Sequence, residues 1–193
     1  MKVAIIKYNA GNITSVAFAL QRLGINPEIT DDPELIKSSD KVIFPGVGEA
    51  STTMNYLRLK KLNQLIPELK QPVLGICLGM QLMCNYSMEG KTPCIGIFDE
   101  LIEKFPAKEK VPHVGWNTIS NLKGDLFKNI PDNSYVYFVH SYFANESQYS
   151  IANSNYIKPF TAAMQKENFY ATQFHPERSG KIGVLILKNF IEL

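Results

Sequence analysis

The first half of the chain alternates short apolar runs with segments of helical periodicity, and this alternation limits the possible folds more than any other feature. Apolar runs fill residues 2–8, 26–30, 41–48 and 72–76. Runs that are apolar at nearly every position are typical of strands buried on both faces, so they predict a parallel sheet. The helical segments between them predict helices that cover both faces of that sheet.

These helices have recognisable ends. Asn12, the last residue of a predicted turn over 9–12, is a candidate cap for the first helix, which we expect to stop at Gly24. Pro33 suits the first turn of the second helix, and Pro67 predicts an end or a kink in the third. The helices are expected over residues 13–24, 31–39, 54–69 and 78–86.

The second half of the chain is rich in strand signals instead. Strands are expected within residues 95–105, 111–119, 134–144, 149–153 and 160–177, and a last helix over 180–193. No repeat, low-complexity segment or linker divides the chain. The sequence therefore predicts one α/β domain over residues 1–193, with a mostly parallel sheet and an added antiparallel, strand-rich section.

Composition excludes several classes of function. The chain has 193 residues, of which 45% are hydrophobic, and 20 Lys and Arg oppose 18 Asp and Glu for a net charge of +2. No block of like charges is present, so neither a nucleic acid nor a membrane is an expected partner. No apolar stretch is long enough for a signal-peptide core or a membrane span, which favours a cytoplasmic protein.

Three cysteines are present, Cys77, Cys84 and Cys94. An odd number without a secretion signal argues against a disulfide framework, and their spacings match no zinc pattern. We therefore expect no metal site. Cys77 remains either a small core residue, the usual role of an isolated buried cysteine, or a nucleophile.

The stretch "GICLG" favours the nucleophile. Cys77 lies between Gly75 and Gly79 at the point where a predicted strand turns into a helix, as in a nucleophile elbow. The N–H groups at the start of that helix would favour thiolate over thiol. The N–H of Leu78 would be ready to donate to an oxyanion.

A thiolate nucleophile needs a base, and the base needs an orienting acid. His175 and Glu177 lie two residues apart in "QFHPE", so in an extended segment they would point the same way. His113 and His140 are embedded in apolar strands, where a satisfied buried histidine is the expectation. "PGVGEAS" has Ser51 where a dinucleotide loop needs its third glycine, so an oxyanion donor at Val47 is favoured over a nucleotide site.

Together "PGVG", "GICLGMQ" and "QFHPE" resemble the class I (triad) glutamine amidotransferases. "YNAGNITSV", "VPHVGWN" and "YFVHSY" resemble one branch of them, the glutaminase subunits of imidazole glycerol phosphate synthases. This resemblance implies a flavodoxin-like open sheet, no cofactor, and hydrolysis of glutamine to glutamate and ammonia. Cys77 would attack the amide, His175 would transfer protons, and Glu177 would orient the imidazole.

The resemblance also implies further site residues and a partner. Leu78 and Val47 would donate to the oxyanion, and the partner would be a (β/α)₈-barrel synthase subunit that consumes the ammonia. Residues implied to hold the substrate are Gly48, Gln81, Glu89, Ser141 and Tyr142. Residues implied to face the partner are Asn12, Trp116 and Tyr137, although a lone tryptophan such as Trp116 is equally typical of a core.

One segment departs from the branch. After "PGVG" we expect Ala and Phe, whereas this chain has Glu49, Ala50 and Ser51. Alternative functions are a paralogous subunit that supplies ammonia to another synthase, for example in surface-sugar modification, and a catalytically silent binding subunit. A stand-alone thiol hydrolase or redox sensor is a further alternative. Glutaminases of pyridoxal-phosphate and anthranilate synthases share the triad but are expected to lack "PHVGWN" together with "FVHSY".

Overall fold

A computed structural model of the chain describes residues 1–8 and 12–193, so the predicted turn over 9–12 lies outside the described residues except for Asn12. The strands are β1 (Val3–Ile6), β2 (Glu28–Thr30), β3 (Lys41–Phe44), β4 (Val73–Ile76), β5 (Cys84–Ser87), β6 (Thr92–Pro93), β7 (Phe98–Lys104), β8 (His113–Ile119), β9 (Ser134–His140), β10 (Tyr142–Ala144), β11 (Ser150–Tyr156), β12 (Lys158–Lys166) and β13 (Phe169–Thr172). The α-helices are α1 (Ile13–Gln21), α2 (Pro33–Lys37), α3 (Ala50–Leu59), α4 (Leu62–Leu65), α5 (Leu78–Met83) and α6 (Gly180–Glu192). Short 3₁₀ turns cover Ile66–Glu68, Glu89–Lys91, Asp125–Phe127 and Pro176–Arg178.

The main sheet of the described chain has seven strands in the order β11-β12-β13-β4-β3-β1-β2. The pairs among β2, β1, β3, β4 and β13 are parallel, and β11 and β12 extend the sheet as antiparallel strands. The parallel part has the strand order of a flavodoxin-like sheet. This confirms the predicted fold class, including the antiparallel addition contributed by the second half.

Helices cover both faces of this sheet because its strand residues alternate between two cores. Val3 and Ile5 of β1 face the core that contains α1 and α6, whereas Ala4 and Ile6 face the core that contains α3. Strands β1, β3, β4 and β13 are buried at every position, which is why they read as continuous apolar runs. No described helix is long and apolar enough to cross a membrane.

Three sequence motifs meet at one edge of the main sheet. The glycine loop follows β3, Cys77 follows β4, and the histidine segment follows β13, and these three strands are neighbours. Carboxyl ends of adjacent parallel strands share an edge, and ligands bind there in open α/β sheets. The expected common crevice is therefore present.

Two smaller sheets flank that edge. One has the order β10-β7-β5-β6, and the other is the antiparallel hairpin of β8 and β9. In the hairpin His113 pairs with His140 and Trp116 pairs with Tyr137. The hairpin therefore links a histidine pair at one end to an aromatic pair nearer its middle.

The predicted helix over 54–69 is wrong at both ends. The helix begins at Ala50, because the Glu49 carboxylate caps it by accepting from the N–H groups of Ser51 and Thr52. It ends at Leu59, ten residues into its course, because Lys61 adopts a left-handed backbone conformation with φ 58°. The break thus precedes Pro67, which lies instead in a short 3₁₀ turn.

Other helices are also shorter than predicted, including the one expected over 31–39, which is α2 (Pro33–Lys37). The helix expected over 78–86 ends at Met83, because Cys84 begins strand β5 of the second sheet. The helix expected over 13–24 ends at Gln21, and Gly24 follows with φ 78°. Apolar periodicity continues past both ends, so it could not mark them.

Candidate active site

Cys77 occupies a strained turn between β4 and α5. Its backbone has φ 52° and ψ −106°, a conformation that side chains other than glycine rarely adopt. Its N–H donates to the Thr172 carbonyl at 2.7 Å, which fixes the turn against β13. A strained residue at a sharp strand-to-helix turn is the geometry of a nucleophile elbow.

The glycines around Cys77 are required by close packing. A Cβ atom on Gly79 would lie 2.1 Å from the Phe44 carbonyl oxygen, and one on Gly75 would lie 2.8 Å from the Met83 sulfur. One on Gly46 would lie 2.3 Å from the Gly79 nitrogen. This confirms the expectation that glycines allow the helix to approach the strands closely, and it adds Gly46 to that set.

His175 and Glu177 form a buried pair. Nδ1 of His175 lies 2.8 Å from Oε1 of Glu177, and the two side chains are 1% and 0% exposed. The predicted contact is present, but the reason given for it is wrong. Only His175 is extended, and Glu177 belongs to a 3₁₀ turn that curls its carboxylate back to the ring.

The pKa of His175 is raised to about 10. Burial alone would lower it, but the charge and hydrogen-bonding capacity of the Cys77 sulfur and the Glu177 carboxylate outweigh burial. Nε2 of the ring is buried and makes no hydrogen bond of standard geometry within residues 1–8 and 12–193. The His175 ring is therefore protonated near neutral pH, and Nε2 is the nitrogen from which a proton can be transferred.

Asn12 is tied to this pair, and its side chain does not cap a helix. Its side chain makes no capping hydrogen bond to α1, and its backbone has φ 73°. Instead its side-chain nitrogen donates to Oε1 of Glu177, and its side-chain oxygen Oδ1 accepts from Arg178 at 3.2 Å. Asn12 therefore occupies the N-cap position of α1, but the predicted side-chain cap is wrong, because the Oδ1 atom that would accept from the helix N–H groups accepts from Arg178 instead.

Ser179 is a positioning residue that the sequence did not reveal. Its hydroxyl donates to the His175 carbonyl at 2.7 Å and accepts from the N–H of Tyr137 at 3.0 Å. The N–H of His175 in turn donates to the Tyr137 carbonyl at 2.9 Å. These bonds hold the His175 backbone against β9.

A cavity of about 270 Å³ opens beside Cys77. It is slightly smaller than the roughly 300–1,000 Å³ usual for ligands of drug size, so it suits a small molecule. All seven residues expected to bind the oxyanion or the substrate line it, and Pro112, Val139 and His140 were not expected. The lining residues are Val47, Gly48, Cys77, Leu78, Gln81, Glu89, Pro112, Val139, His140, Ser141 and Tyr142.

The segment Glu49–Ser51, which differs from the sequence expected for the branch, has a structural role. Glu49 caps α3, while Oε2 of Glu89 accepts from the N–H of Ala50 at 2.9 Å. Burial, together with the charge of Glu49, raises the pKa of Glu89 against the effect of the Ala50 hydrogen bond. The segment thus anchors Glu89 at the rim of the cavity.

Two buried glutamines connect Cys77 to the far side of the cavity. Nε2 of Gln81 donates to the Tyr142 carbonyl and to Oε1 of Gln173, each at 3.0 Å. Nε2 of Gln173 lies 3.7 Å from the Cys77 sulfur, within hydrogen-bond range for sulfur. Gln173 is fully buried and was not singled out from the sequence.

His113 and His140 are satisfied by each other, as expected. Nδ1 of His113 lies 3.1 Å from Nε2 of His140, and Nδ1 of His140 lies 2.8 Å from the Tyr142 carbonyl. Since that carbonyl can only accept, His140 carries its proton on Nδ1 and His113 donates to it. Burial lowers the pKa of His113 to about 4 and that of His140 to about 3, so both are neutral.

The residues expected to face a partner differ in exposure. Trp116 is 55% exposed, so the alternative of a core tryptophan is wrong. Tyr137 is half-buried beside it, with the ring centroids 6.0 Å apart. Val114 and Tyr135 of the same hairpin are also more than half exposed.

No group of three or more potential metal ligands occurs among the described residues. The arrangement of an elbow cysteine, a buried His–Glu pair and an adjoining small cavity is that of a thiol-dependent acyl-transfer site. A family model, "Glutamine amidotransferase class-I", matches residues 5–193. The chain belongs to the class I glutamine amidotransferases.

Curated relatives show to which branch of this class the chain belongs. The chain is 61% identical to the imidazole glycerol phosphate synthase subunit HisH of Bacteroides fragilis strain YCH46, covering 100% of both chains. It is 48% identical to the HisH subunit of Haemophilus influenzae strain Rd, covering 100% of this chain and 98% of the relative. The chain therefore belongs, within the class, to the HisH family.

The fold also matches a crystal structure of a glutamine amidotransferase. The two superpose with a TM-score of 0.77 at 17% identity, over 98% of this chain and 97% of the other. At this identity the similarity concerns the fold alone. It agrees with the seven-stranded sheet described above.

Proposed function

We propose that the chain is the glutaminase subunit of an imidazole glycerol phosphate synthase and hydrolyses glutamine to glutamate and ammonia. The observation that carries this proposal is the strained Cys77 at the edge of a small cavity, with His175 close enough to interact with the Cys77 sulfur and Glu177 on the other side of the imidazole. The name and full-length similarity of the HisH relatives supply the pathway. We treat residues 1–193 as one amidotransferase domain.

Cys77 acts as the nucleophile. Its thiolate attacks the side-chain amide carbon of glutamine, which forms a tetrahedral intermediate with a negatively charged oxygen. His175, protonated near neutral pH because of its raised pKa, gives its Nε2 proton to the departing nitrogen. Ammonia leaves, and the glutamyl group remains attached to sulfur as a thioester.

His175 then acts as a base. Its neutral imidazole removes a proton from water, and the resulting hydroxide attacks the thioester carbon. Glutamate leaves, and Cys77 returns to the thiolate. Glu177 keeps the proton of His175 on Nδ1 through both steps, and it stabilises the imidazolium whenever Nε2 is protonated as well.

The oxyanion is stabilised by backbone donors. Leu78 is the first residue of α5, so its N–H has no acceptor inside the helix. Val47 lies in the glycine loop opposite and is the second proposed donor. Tyr8 supports this loop, because its hydroxyl donates to the Pro45 carbonyl.

The amino-acid end of glutamine binds at the other side of the cavity. Glu89 is the only carboxylate that lines the cavity in the described chain, which suits it to the α-ammonium group. The other proposed contacts come from Gln81 and from the backbone around Gly48, Ser141 and Tyr142. These contacts would hold the amide carbon against Cys77.

The partner is proposed to be a (β/α)₈-barrel synthase subunit that uses the ammonia. The exposed outer face of the β8–β9 hairpin, with Trp116, Tyr135 and Val114, is a surface of interface character. Tyr137 pairs with Trp116 in this hairpin and its carbonyl accepts from the N–H of His175, while Asn12 donates to Glu177. We place the reaction in the cytoplasm, where three free cysteines remain reduced.

The test is ammonia release from glutamine by the purified chain, alone and with the cognate synthase subunit and its nucleotide ligand. We expect weak activity alone, a large increase in the complex, and loss of activity in Cys77→Ser. Full activity without the partner would favour a stand-alone hydrolase. Activation by a different synthase alone would favour a paralogous subunit, and no activity in a confirmed complex would leave a binding subunit.

A further inference from the structure

We propose that Gln173 is a further catalytic residue, whose amide donates to the Cys77 thiolate and whose orientation is set by Gln81. This inference deepens the proposed function and rests on it. It adds a side-chain donor to the nucleophile, and it connects the nucleophile to a residue of the substrate cavity.

The direction of the amide chain is fixed by a backbone carbonyl. Tyr142 presents only its carbonyl oxygen to Gln81, so the nitrogen of the Gln81 amide must face it. The same nitrogen lies 3.0 Å from the Gln173 amide, which must therefore turn its oxygen towards Gln81. The Gln173 nitrogen is then left to face the Cys77 sulfur at 3.7 Å.

The Cys77 sulfur has a different neighbour for each protonation state. As a thiol it donates to the Val139 carbonyl at 3.7 Å. Once the proton has moved to His175, that carbonyl can no longer accept a hydrogen bond from sulfur and only repels the charge. The Gln173 N–H is a donor within reach, and hydrogen bonds to ionised groups are stronger than neutral ones.

Gln173 is held rigidly, as a donor to a developing charge must be. Its side chain is fully buried, and its backbone N–H donates to the Ala162 carbonyl at 2.8 Å. It lies two residues before His175, so one short segment positions both the donor and the acid–base group. A preorganised donor stabilises a developing charge without having to reorganise.

The experiment measures the rate at which iodoacetamide alkylates Cys77 in the full chain as a function of pH, with the Cys77 peptide quantified by mass spectrometry. Gln173→Met keeps the length of the side chain and removes the donor. Gln173→Glu also keeps the acceptor for Gln81 but turns an oxygen to the sulfur. Gln165→Met is the matched control, because Gln165 lies on β12 and its side-chain amide donates to the Tyr170 hydroxyl at 3.2 Å.

We expect the midpoint of the alkylation profile to move to higher pH by about one unit in Gln173→Met and further in Gln173→Glu. In the activated complex kcat should fall about 10- to 100-fold, the range for losing a hydrogen bond to a charged group. Gln165→Met should match the unsubstituted chain. If Gln173→Met does not fold, Gln173→Asn, which withdraws the amide from the sulfur by one methylene, should shift the midpoint in the same direction.

A role in packing alone would lower the melting temperature without moving the midpoint, and that result in folded variants would overturn the proposal. Failure of the proposed function is a separate outcome. An unsubstituted chain that does not hydrolyse glutamine with any partner would contradict the glutaminase proposal. The alkylation profile needs no glutamine, so it would still decide whether Gln173 donates to Cys77.

Discussion

The side-chain amide of Asn12 donates to Oε1 of Glu177, the oxygen that also accepts from the His175 ring, although 165 positions separate the two residues. Asn12, immediately before α1, therefore contributes directly to the environment of the proposed acid–base pair. The other Glu177 oxygen is buried and has no hydrogen-bond partner among residues 1–8 and 12–193. Losing the Asn12 donor would leave His175 as the only described partner of this carboxylate.

Asn12→Gly tests this relationship. Glycine tolerates the left-handed backbone of this position, so the change removes the side chain without strain. We expect kcat for glutamine hydrolysis in the complex to fall about tenfold, the value of one hydrogen bond to a charged group, with little change in KM. The melting temperature should change little, since the side chain does not cap α1.

Asp32→Ala is the matched control. Asp32 caps α2 by accepting from the N–H groups of Glu34 and Leu35, so its loss should cost about 1 kcal/mol of unfolding free energy and leave kcat unchanged. If Asn12→Gly behaved like Asp32→Ala, the link to Glu177 would have no catalytic role.

Glu89→Gln should raise KM for glutamine by about 10- to 100-fold, because it removes the charge proposed to bind the substrate's ammonium group. The amide oxygen can still accept from Ala50, so the rim of the cavity should keep its shape. Steady-state kinetics of the complex measure the effect. Glu49→Gln, next to the cavity but not lining it, should leave KM near its original value, and a change confined to kcat in Glu89→Gln would contradict the binding role.

The His113–His140 pair should make the fold sensitive to mild acid. The folded chain keeps both rings neutral until about pH 4 and pH 3, whereas the unfolded chain protonates them near pH 6.5. Because the unfolded state binds more protons in this window, stability falls as pH decreases from 6.5. Each ring contributes about 1.4 kcal/mol per pH unit.

Denaturant unfolding between pH 6.5 and pH 4.5 measures this slope, above the range where most carboxylates titrate. His113→Phe keeps an aromatic ring stacked on Tyr156 and removes one of the two side chains that bind a proton on unfolding. The slope should fall by about half, whatever the absolute stability of the variant. An unchanged slope would mean that the pair is not the source of acid sensitivity.

Trp116→Ala should weaken binding of the synthase subunit by at least about 2 kcal/mol, or roughly 30-fold in Kd, if Trp116 anchors the interface. The isolated chain should melt at nearly the same temperature, because the ring is 55% exposed. Isothermal titration calorimetry with the partner measures Kd. Leu59 on α3 is 78% exposed, so Leu59→Ala is the control and should bind with the original Kd. Equal Kd values for both variants would mean that Trp116 does not lie in the interface.

Features encoded by neighbouring residues could be predicted from the sequence. The elbow at Cys77 depends on Gly75 and Gly79, and the contact of His175 with Glu177 is made within three residues, although by a 3₁₀ turn rather than the expected extended segment. The alternation of apolar and helical segments was sufficient for the order β1 to α5, except for the break between α3 and α4, whereas strands β5 and β6 were not predicted. Each of these signals lies within a short window, where spacing and backbone preference determine the outcome.

Features that depend on distant partners could not be predicted. Gln173 faces Cys77 across 96 positions, and Asn12 faces Glu177 across 165, so no local pattern distinguishes them from ordinary polar residues. The helix breaks at Lys61 because this residue has a left-handed backbone, and a lysine in the sequence does not indicate that conformation. Trp116 was ambiguous because a strand pattern does not say whether anything covers its outer face.

The left-handed backbone of Cys77 has a consequence for how this chain can change over generations. Glycine would adopt that turn with less strain, so folding alone favours glycine at position 77, and only a need for sulfur retains the cysteine. Selection for a lasting fold and selection for turnover therefore act against each other at this one position. In a homologue that no longer needs catalytic turnover, position 77 is expected to change to glycine while the surrounding sheet is retained.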